Sequence, residues 1–545
     1  MTTINQISEI YQNEYSSWRN NKDLNTAKRQ EYLRRHPEMI DDYDLQRAKK
    51  LLSAVDIMDK TTSNKTENAN TIFESATSFG LGYAAVGGTT LGFLSTKLGF
   101  IQKGINRFAL KYPKSKNIIP IGITTVCGIL GILAAYPIYT FLSKIESTIY
   151  RKNRFETIEE ELNDPKIFTV LNEEQKKVFE KNLLDMKAKK NKISLTKEVS
   201  SNLKSLKQLT QDAIFYEKEQ EKFKEKYNED TNLYKNTLTE KEIKDANKDR
   251  VLLLVMLREI NTKAQSYTEK MQEITDNLIS LSFALGSIFT LGYERIAKRL
   301  KLKSSALPTG MGLFMLMGST FFATWAQKRA ARVGKFKAKQ DLMQNPEKLI
   351  YVSSNKTNTI QDEDIELKQN KQNSIEFLQE FFQSNKEYNK WKKDKTITGK
   401  DISKAMENIE LSSEQIKDGK RLQKNLFKTL YQVDKNTQNY SSSIDLMAES
   451  TKYPIVLLFG TIGSVLGMKH LVKLRSATTP KEIFKHSARY IGTISLFTLP
   501  SLVLNSYYAK AQKMGARVSD MTTMKDLEDY RFFADYSRFK DNSSI

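Results

Sequence analysis

Residues 118–142 read IIPIGITTVCGILGILAAYPIYTFL, a run that contains no Asp, Glu, Lys or Arg. A helix needs about 20 apolar residues to cross the hydrocarbon core of a bilayer, and this run is long enough. Helices in the core of a soluble protein are normally amphipathic, so an uncharged run favours a membrane-spanning helix. Core helices or a hydrophobic assembly interface are the alternative interpretation.

Five similar runs surround this one, and the six fall into three pairs along the chain. The other runs cover residues 77–96, 278–293, 306–326, 454–468 and 490–508. The runs at 278–293 and 454–468 are short for a spanning helix, and the others are long enough. Each pair predicts a transmembrane hairpin. The glycine pairs Gly88/Gly92 and Gly463/Gly467 form GxxxG patterns, which predict close helix packing within the membrane.

The segments after the fourth and the sixth apolar run share more than hydropathy with one another. Residues 326–333 read AQKRAARV and residues 511–518 read AQKMGARV, so six of eight positions match without a gap. Upstream of the hairpins, Val55-Asp56, Ile260-Asn261 and Val433-Asp434 form a second weak match. These matches predict a unit of roughly 180 residues that occurs three times, far longer than common solenoid repeats.

The fold class that follows is all-α, an integral membrane protein with six transmembrane helices in three hairpins. Polar helical modules, some of them like short coiled coils, join the hairpins. The predicted modules are 1–72 (polar N-terminal helices), 73–142 (hairpin 1), 143–272 (soluble helical module), 273–327 (hairpin 2), 328–450 (soluble helical module), 451–509 (hairpin 3) and 510–545 (basic and polar C-terminal helix).

Local patterns support helices in the polar modules. Ser412-x-x-Gln415 has the form of a capping box, in which the hydroxyl and the third residue satisfy backbone N–H groups at a helix start. Leu422, Leu426 and Leu430 then keep helical spacing. Residues 251–256 (VLLLVM) are strongly apolar but too short to span a membrane, which indicates the core of a helical layer or else a membrane-surface contact.

The formal net charge of +22 indicates a partner with negative charge. Much of the excess is juxtamembrane, both in the hairpin loops and after the hairpins, where basic residues attract anionic lipid headgroups. The predicted membrane-surface contacts are Lys328, Arg329, Arg332, Lys335, Lys513 and Arg517. A nucleic-acid partner is disfavoured because the sequence contains no nucleic-acid-binding motif.

The sequence offers little material for catalysis or metal binding. It has one cysteine, Cys127, and three histidines, and it lacks the phosphate-binding loop GxxxxGK[ST] and the nucleophile motif GxSxG. One thiol cannot form an intramolecular disulfide or a Cys-based zinc site. We therefore expect no catalytic residues, no metal and no cofactor.

Three roles remain for a protein of this kind. We expect a membrane-embedded structural or scaffolding protein that binds the lipid bilayer and associates with itself or with a helical protein partner. The alternatives are a channel or pore-forming, translocator-like protein and a membrane-shaping hairpin protein; an enzyme of unfamiliar type ranks below them. The first 70 residues are polar and show no signal peptide, and an even number of spans places both termini on one side. We expect the cytosolic side, in a bacterial cell membrane rather than an organelle.

Overall fold

The computed structural model describes nearly the whole chain up to residue 430 and isolated pieces beyond it. The described ranges are 2–95, 98–113, 115–193, 207–216, 240–291, 306–352, 354–362, 373–393 and 397–430, together with 365, 433, 470, 479, 481–482, 485–486, 489, 493, 514–515, 517–525 and 527. Every regular element in these residues is a helix and none is a strand. The predicted all-α class is confirmed.

The helices are numbered in chain order. They are α1 (Thr2–Arg35), α2 (Asp42–Ser95), α3 (Gly99–Lys111), α4 (Ser115–Glu161), α5 (Glu173–Ile193), α6 (207–216), α7 (Glu240–Leu291), α8 (Ala306–Gln344), α9 (Ser354–Thr357), α10 (Ser374–Lys393), α11 (Gly399–Met406) and α12 (413–430). Three short 3-10 helices cover Pro37–Met39, Pro165–Phe168 and Pro346–Leu349.

Two long helical hairpins organise the described residues. The first hairpin pairs α2 with α4, and the second pairs α7 with α8. Both are antiparallel: in the second, for example, Gln327 Nε2 donates to Thr275 Oγ1 at 2.8 Å, while Gly334 lies against Ala264. Helix α2 has 54 residues without a break, which corresponds to roughly 80 Å of helix. The hairpins touch through α2 and α8.

The largest hydrophobic core lies where α2, α7 and α12 meet. All seven residues from Val251 to Leu257 on α7 are buried, as is expected of a helix enclosed on every side. The prediction that residues 251–256 form the core of a helical layer is therefore confirmed. Leu422, Leu426 and Leu430 of α12 belong to the same core. The capping box is also confirmed, since Gln415 N donates to Ser412 Oγ at 3.2 Å and Ser412 N donates to Gln415 Oε1 at 2.9 Å.

Positions that match between the repeated units of the sequence have similar surroundings in the structure. Val55 on α2 and Ile260 on α7 are both buried. Seven residues earlier in the same register stand Ala48, Leu253 and Leu426, and each of them has no exposed area. The helices that leave the two hairpins, α4 and α8, also end alike. Each is followed by a 3-10 helix that begins with proline, at Pro165 and at Pro346.

The described residues contain no helix that is both long and apolar enough to cross a membrane. For most residues of the predicted spans, the structure describes no side chain. This holds for most of 77–96, 118–142, 278–293, 306–326 and 490–508, for all of 454–468, and for Gly88, Gly92, Gly463 and Gly467. The backbone is helical over 77–95, 118–142, 278–291 and 306–326. The six spans and the glycine packing thus stay predictions.

Four of the six predicted module boundaries fall inside helices, and those at 450 and 509 lie outside the described residues. Positions 72 and 142 fall inside α2 and α4, and positions 272 and 327 fall inside α7 and α8. The change from polar to apolar sequence marks a change along one continuous helix, because no glycine or proline stands at these boundaries to interrupt it.

Candidate functional site: buried ion pairs between the hairpins

A buried lysine joins the two hairpins. Lys339 lies on α8, and its side chain is only 2% exposed. Its Nζ lies 3.0 Å from Asp56 Oδ1 and 3.1 Å from Asp59 Oδ2, both on α2. Residues three apart share one face of a helix, so α2 presents both carboxylates to the same ammonium group. One cation of the second hairpin is therefore clamped between two anions of the first.

A third helix closes this ion cluster. Trp391 on α10 donates from Nε1 to Asp56 Oδ2 at 3.0 Å. The centroid of its ring lies 4.6 Å from Lys339 Nζ, within the range of a cation–π contact. The indole therefore satisfies one carboxylate oxygen and covers the ammonium group, so that α2, α8 and α10 meet around a single charge.

The protonation state of the cluster follows from these contacts. Burial by itself would raise the pKa of Asp59 and lower the pKa of Lys339. Their mutual attraction outweighs this effect, so the net pKa of Asp59 is below and that of Lys339 above the ordinary value. Both groups stay charged at neutral pH. A pair that stays charged can hold helices together. Proton transfer needs a group with a pKa near the working pH.

A second buried carboxylate connects three helices in the main core. Asp249 on α7 has a side chain with no exposed area. It pairs with Arg47 of α2 and accepts from Arg421 Nε of α12 at 3.2 Å. A buried carboxylate is costly unless it is paired, and here two guanidinium groups from different helices share that task. The α2, α7 and α12 helices are thus tied at one end of their common core.

At least three of the six basic residues that were predicted to contact lipid have protein partners in the structure. Lys328 Nζ lies 2.7 Å from Glu146 Oε2 of α4, and Arg517 forms a two-pronged pair with Glu269 of α7 at 2.8 and 2.9 Å. Arg329 Nε donates to Asn385 Oδ1 at 2.6 Å and its guanidinium carbon lies 4.4 Å from the centroid of the Tyr388 ring.

Of the remaining predicted contacts, Arg332 and Lys335 are partly buried, and Lys513 lies outside the described residues. Lipid contact at these six positions stays a prediction. The structure adds that at least three of the six hold neighbouring helices, which the sequence did not indicate. Glu146 and Glu269, the acidic partners of Lys328 and Arg517, are distant in the sequence and stand among other charged residues. Sequence spacing alone could therefore not match these pairs.

Two glycines permit the close approach of backbones at two helix contacts, between α8 and α7 and between α11 and the end of α4. A Cβ on Gly334 of α8 would lie 2.9 Å from Ala264 Cα and 2.9 Å from Lys263 O of α7. A Cβ on Gly399, at the start of α11, would lie 1.7 Å from Glu161 O. Any side chain at either position would force the neighbouring backbone to move. Helices α7 and α8 are therefore in direct backbone contact, and so are the start of α11 and the end of α4.

In the described part of the chain, no group of three or more His, Cys, Asp or Glu side chains is arranged to hold a metal ion. Of the residues predicted by charge alone, Lys328, Arg329 and Arg517 lie at three different contacts between helices. The buried side chains Lys339, Asp56, Asp249 and Trp391 were missed by the sequence reasoning. The weak signals for them were the i, i+3 pair Asp56/Asp59 and an acidic residue, Asp249, two positions before the apolar run 251–256.

Comparison of the chain with models of protein families, with curated proteins and with solved structures finds no match.

Proposed function

We propose that the protein is a membrane-embedded structural or scaffolding protein, whose three hairpins enter a bilayer and whose polar residues form one helical head. The helical head comprises the described residues of 2–73, 143–275 and 327–430. The observation that carries the proposal is the continuity of the long helices. Residues 42–73 of α2 are packed in the helical head, and the same unbroken helix continues into the apolar run at 77–96.

The contact between the hairpins supports a fixed arrangement at the edge of the apolar runs. Glu146 stands four residues beyond the run 118–142, and Lys328 stands two residues beyond the run 306–326. Their ion pair therefore links α4 to α8 just where both helices leave their apolar segments. A pair of this kind holds two hairpins at a set spacing, which is what a structural membrane protein needs.

We include the triplication in the proposal, since the same relationship between units recurs. Helix α2, which enters hairpin 1, meets α8, which leaves hairpin 2, through Asp59 and Lys339. Helix α7, which enters hairpin 2, meets residues 517–525 beyond hairpin 3 through Glu269 and Arg517. Each entering helix thus packs on the leaving helix of the next unit.

The same order brings the third unit back to the first. Helix α12 precedes hairpin 3, and its Gln423 donates from Nε2 to the carbonyl oxygen of Leu162 at 2.6 Å. Leu162 directly follows α4, the helix that leaves hairpin 1. The rings of Phe168 and Phe427 pack edge to face nearby, with centroids 6.0 Å apart. Three copies of one unit in a closed order account for these contacts.

The proposed setting follows the sequence. Both termini and the helical head lie on one side, the cytosolic side of a bacterial cell membrane. Anionic lipid is the first partner, and self-association or a helical protein partner the second. The basic excess of the chain supports the lipid partner, because anionic headgroups attract juxtamembrane lysine and arginine.

Reconstitution separates the structural role from its rivals. Purified full-length protein would be incorporated into liposomes, and insertion would be checked by flotation and by resistance to alkaline extraction. Current would then be recorded across planar bilayers that contain the inserted protein, with a known pore-forming peptide as the positive control. Stable insertion with no current is the expected result.

Two other outcomes would overturn the proposal. Reproducible unitary currents from the inserted protein would establish the pore-forming alternative. Protein that fails to float with lipid, or that alkaline extraction removes, would reject membrane embedding. Electron microscopy of the same liposomes reports on the third candidate, because a membrane-shaping protein would produce tubules or small vesicles that the protein-free preparation lacks.

A further inference from the structure

Helix α3 connects the two long helices of the first hairpin and carries unusually exposed apolar side chains. Phe100 is 74% exposed, Phe108 is 53% exposed and Leu110 is 86% exposed. Exposed apolar residues are ordinary when scattered singly, but several within one short helix mark a surface that another apolar phase covers. The helix has 13 residues, so these three form a dense group.

The charge around α3 has a single sign. From Ser75 to Ile145 the chain has no Asp or Glu. The basic residues in this span are Lys97, Lys103, Arg107, Lys111, Lys114, Lys116 and Lys144. A helix that combines aromatic and leucine side chains with lysine and arginine, and that lacks acidic residues, is typical of segments that lie in the interface of an anionic membrane.

The described residues leave these side chains largely uncovered, although the Phe108 ring contacts the Tyr112 ring with centroids 5.2 Å apart. Helix α3 contacts α4, and Ile105 is its one buried residue among those described. A Cβ added at Gly104 would meet no atom within 4 Å, and the same holds at Gly99. One face of α3 is therefore used for packing within the protein, while the side that bears Phe100, Lys103 and Arg107 is open.

We infer that α3 is an interfacial helix that binds the surface of an anionic lipid bilayer. Phe100, Phe108 and Leu110 insert among the upper parts of the acyl chains. The long side chains of Lys103, Arg107 and Lys111 extend beside them to reach the headgroups. The inference rests on the proposed function, because it requires hairpin 1 to bring α3 to a bilayer. It adds that the tip of this hairpin is itself a lipid-binding element.

Depth measurement on the full-length protein tests the inference. Single cysteines would replace Phe100, Leu110 and Gln102, each on a Cys127→Ala background, and would carry an environment-sensitive fluorophore. Gln102 is an exposed polar residue that lies opposite Phe100 on the same helix and serves as the matched control. A fourth variant, Leu130→Cys, reports the depth of the apolar run 118–142. The liposomes would contain phosphatidylcholine with or without phosphatidylserine.

Shallow quenching at α3 is the expected result. Lipids with a quencher near the headgroup should quench the labels at positions 100 and 110, whereas aqueous iodide should quench the label at position 102. A deep quencher should reach position 130. Removal of phosphatidylserine, or the variant Lys103→Gln/Arg107→Gln/Lys111→Gln, should lower quenching at position 100 by at least about twofold, because each basic residue near the surface adds to anionic-lipid binding. Position 130 should not change.

Failure of the inference and failure of the proposed function give different results. If iodide quenches positions 100 and 110 while position 130 remains deep, the inference is wrong and membrane embedding stands. If neither quencher reaches positions 100 and 110, a protein surface covers α3, which also overturns the inference. If iodide quenches position 130, hairpin 1 is not inserted and the proposed function fails.

Discussion

Lys339 Nζ lies 3.1 Å from Asp59 Oδ2, and this ion pair joins the helix that enters the first hairpin to the helix that leaves the second. The two residues are 280 positions apart in the sequence. Their contact fixes how two units of the chain sit against one another. The stability of the helical head should therefore depend on this cluster more strongly than on any exposed ion pair.

Removal of the buried cation should destabilise the helical head severely. In Lys339→Met, Asp56 and Asp59 would lose the ammonium group that both of them contact, and breaking a buried pair in this way costs about 3–5 kcal/mol. Thermal unfolding of the detergent-solubilised protein, followed by circular dichroism, measures the loss. Lys181→Met, at an exposed position of α5, is the matched control and should leave the midpoint unchanged.

The compensated variant tests the cause of that loss. Lys339→Met combined with Asp56→Asn and Asp59→Asn removes all three charges, so most of the lost stability should return. A midpoint for Lys339→Met that equals that of the control would contradict the assignment of this cluster as a structural clamp.

Asp520 should make stability depend on pH. Burial raises the pKa of Asp520 from 3.8 to about 6, although Asn261 donates to it at 3.4 Å. Between these two pH values the folded state holds a proton that the unfolded state has released, so the free energy of unfolding falls as pH rises and stays lower above pH 6. Asp520→Asn should remove this cost, which is at most about 3 kcal/mol at pH 7.5.

Unfolding midpoints at two pH values measure this effect. Asp520→Asn should exceed the parent protein at pH 7.5 and match it near pH 4, where the parent carboxyl is protonated in the folded state. Asp185→Asn, at an exposed position of α5, should show no such difference. Equal midpoints of Asp520→Asn and the parent at pH 7.5 would refute the pKa shift.

The close approach of α7 and α8 should require glycine at position 334. In Gly334→Val the new Cβ would lie 2.9 Å from Ala264 Cα, so the two helices would have to separate. Overpacking of this kind costs about 1–3 kcal/mol. Gly104→Ala on α3 is the control, because a Cβ there meets nothing within 4 Å. It should be neutral or slightly stabilising; a stable Gly334→Val would argue against the contact.

The shared core of α2, α7 and α12 should be sensitive to truncation at its centre. Leu253 has no exposed area, and Leu253→Ala should cost about 2–5 kcal/mol through lost burial and a cavity. Leu184 on α5 is 65% exposed, so Leu184→Ala should have little effect. Chemical denaturation of both variants gives the comparison. Similar losses for the two would mean that residues 251–257 are not the centre of the core.

Local patterns were sufficient to predict the helical class and parts of the core. The apolar run 251–256 and the capping box at Ser412 depend on residues close together in sequence, and both are confirmed. The buried ion pairs depend on tertiary contacts over long separations. A lysine such as Lys339, in the basic stretch KFKAKQ, has no local feature that marks it as buried.

The same limit applies to the protein partners of the basic residues. Lipid contact was predicted for Lys328 and Arg517 because they follow apolar runs, and it stays a prediction. Their partners Glu146 and Glu269 stand on other helices, so local sequence does not indicate these ion pairs. The boundaries at 72 and 142 were placed where hydropathy changes, yet α2 and α4 continue through them. Hydropathy reports the surroundings of a helix, and it does not report where the helix ends.

Labelling from the two sides of a membrane decides whether the hairpins span it with the helical head on one side. Single cysteines at Lys111 and Lys481, in the tips of the first and third hairpins, and at Lys181, in the helical head, would be placed on a Cys127→Ala background. An impermeant thiol reagent would be added to sealed vesicles before and after lysis. Positions 111 and 481 should be labelled from one side and position 181 from the other. Labelling of all three from the same side of intact vesicles would contradict spanning hairpins.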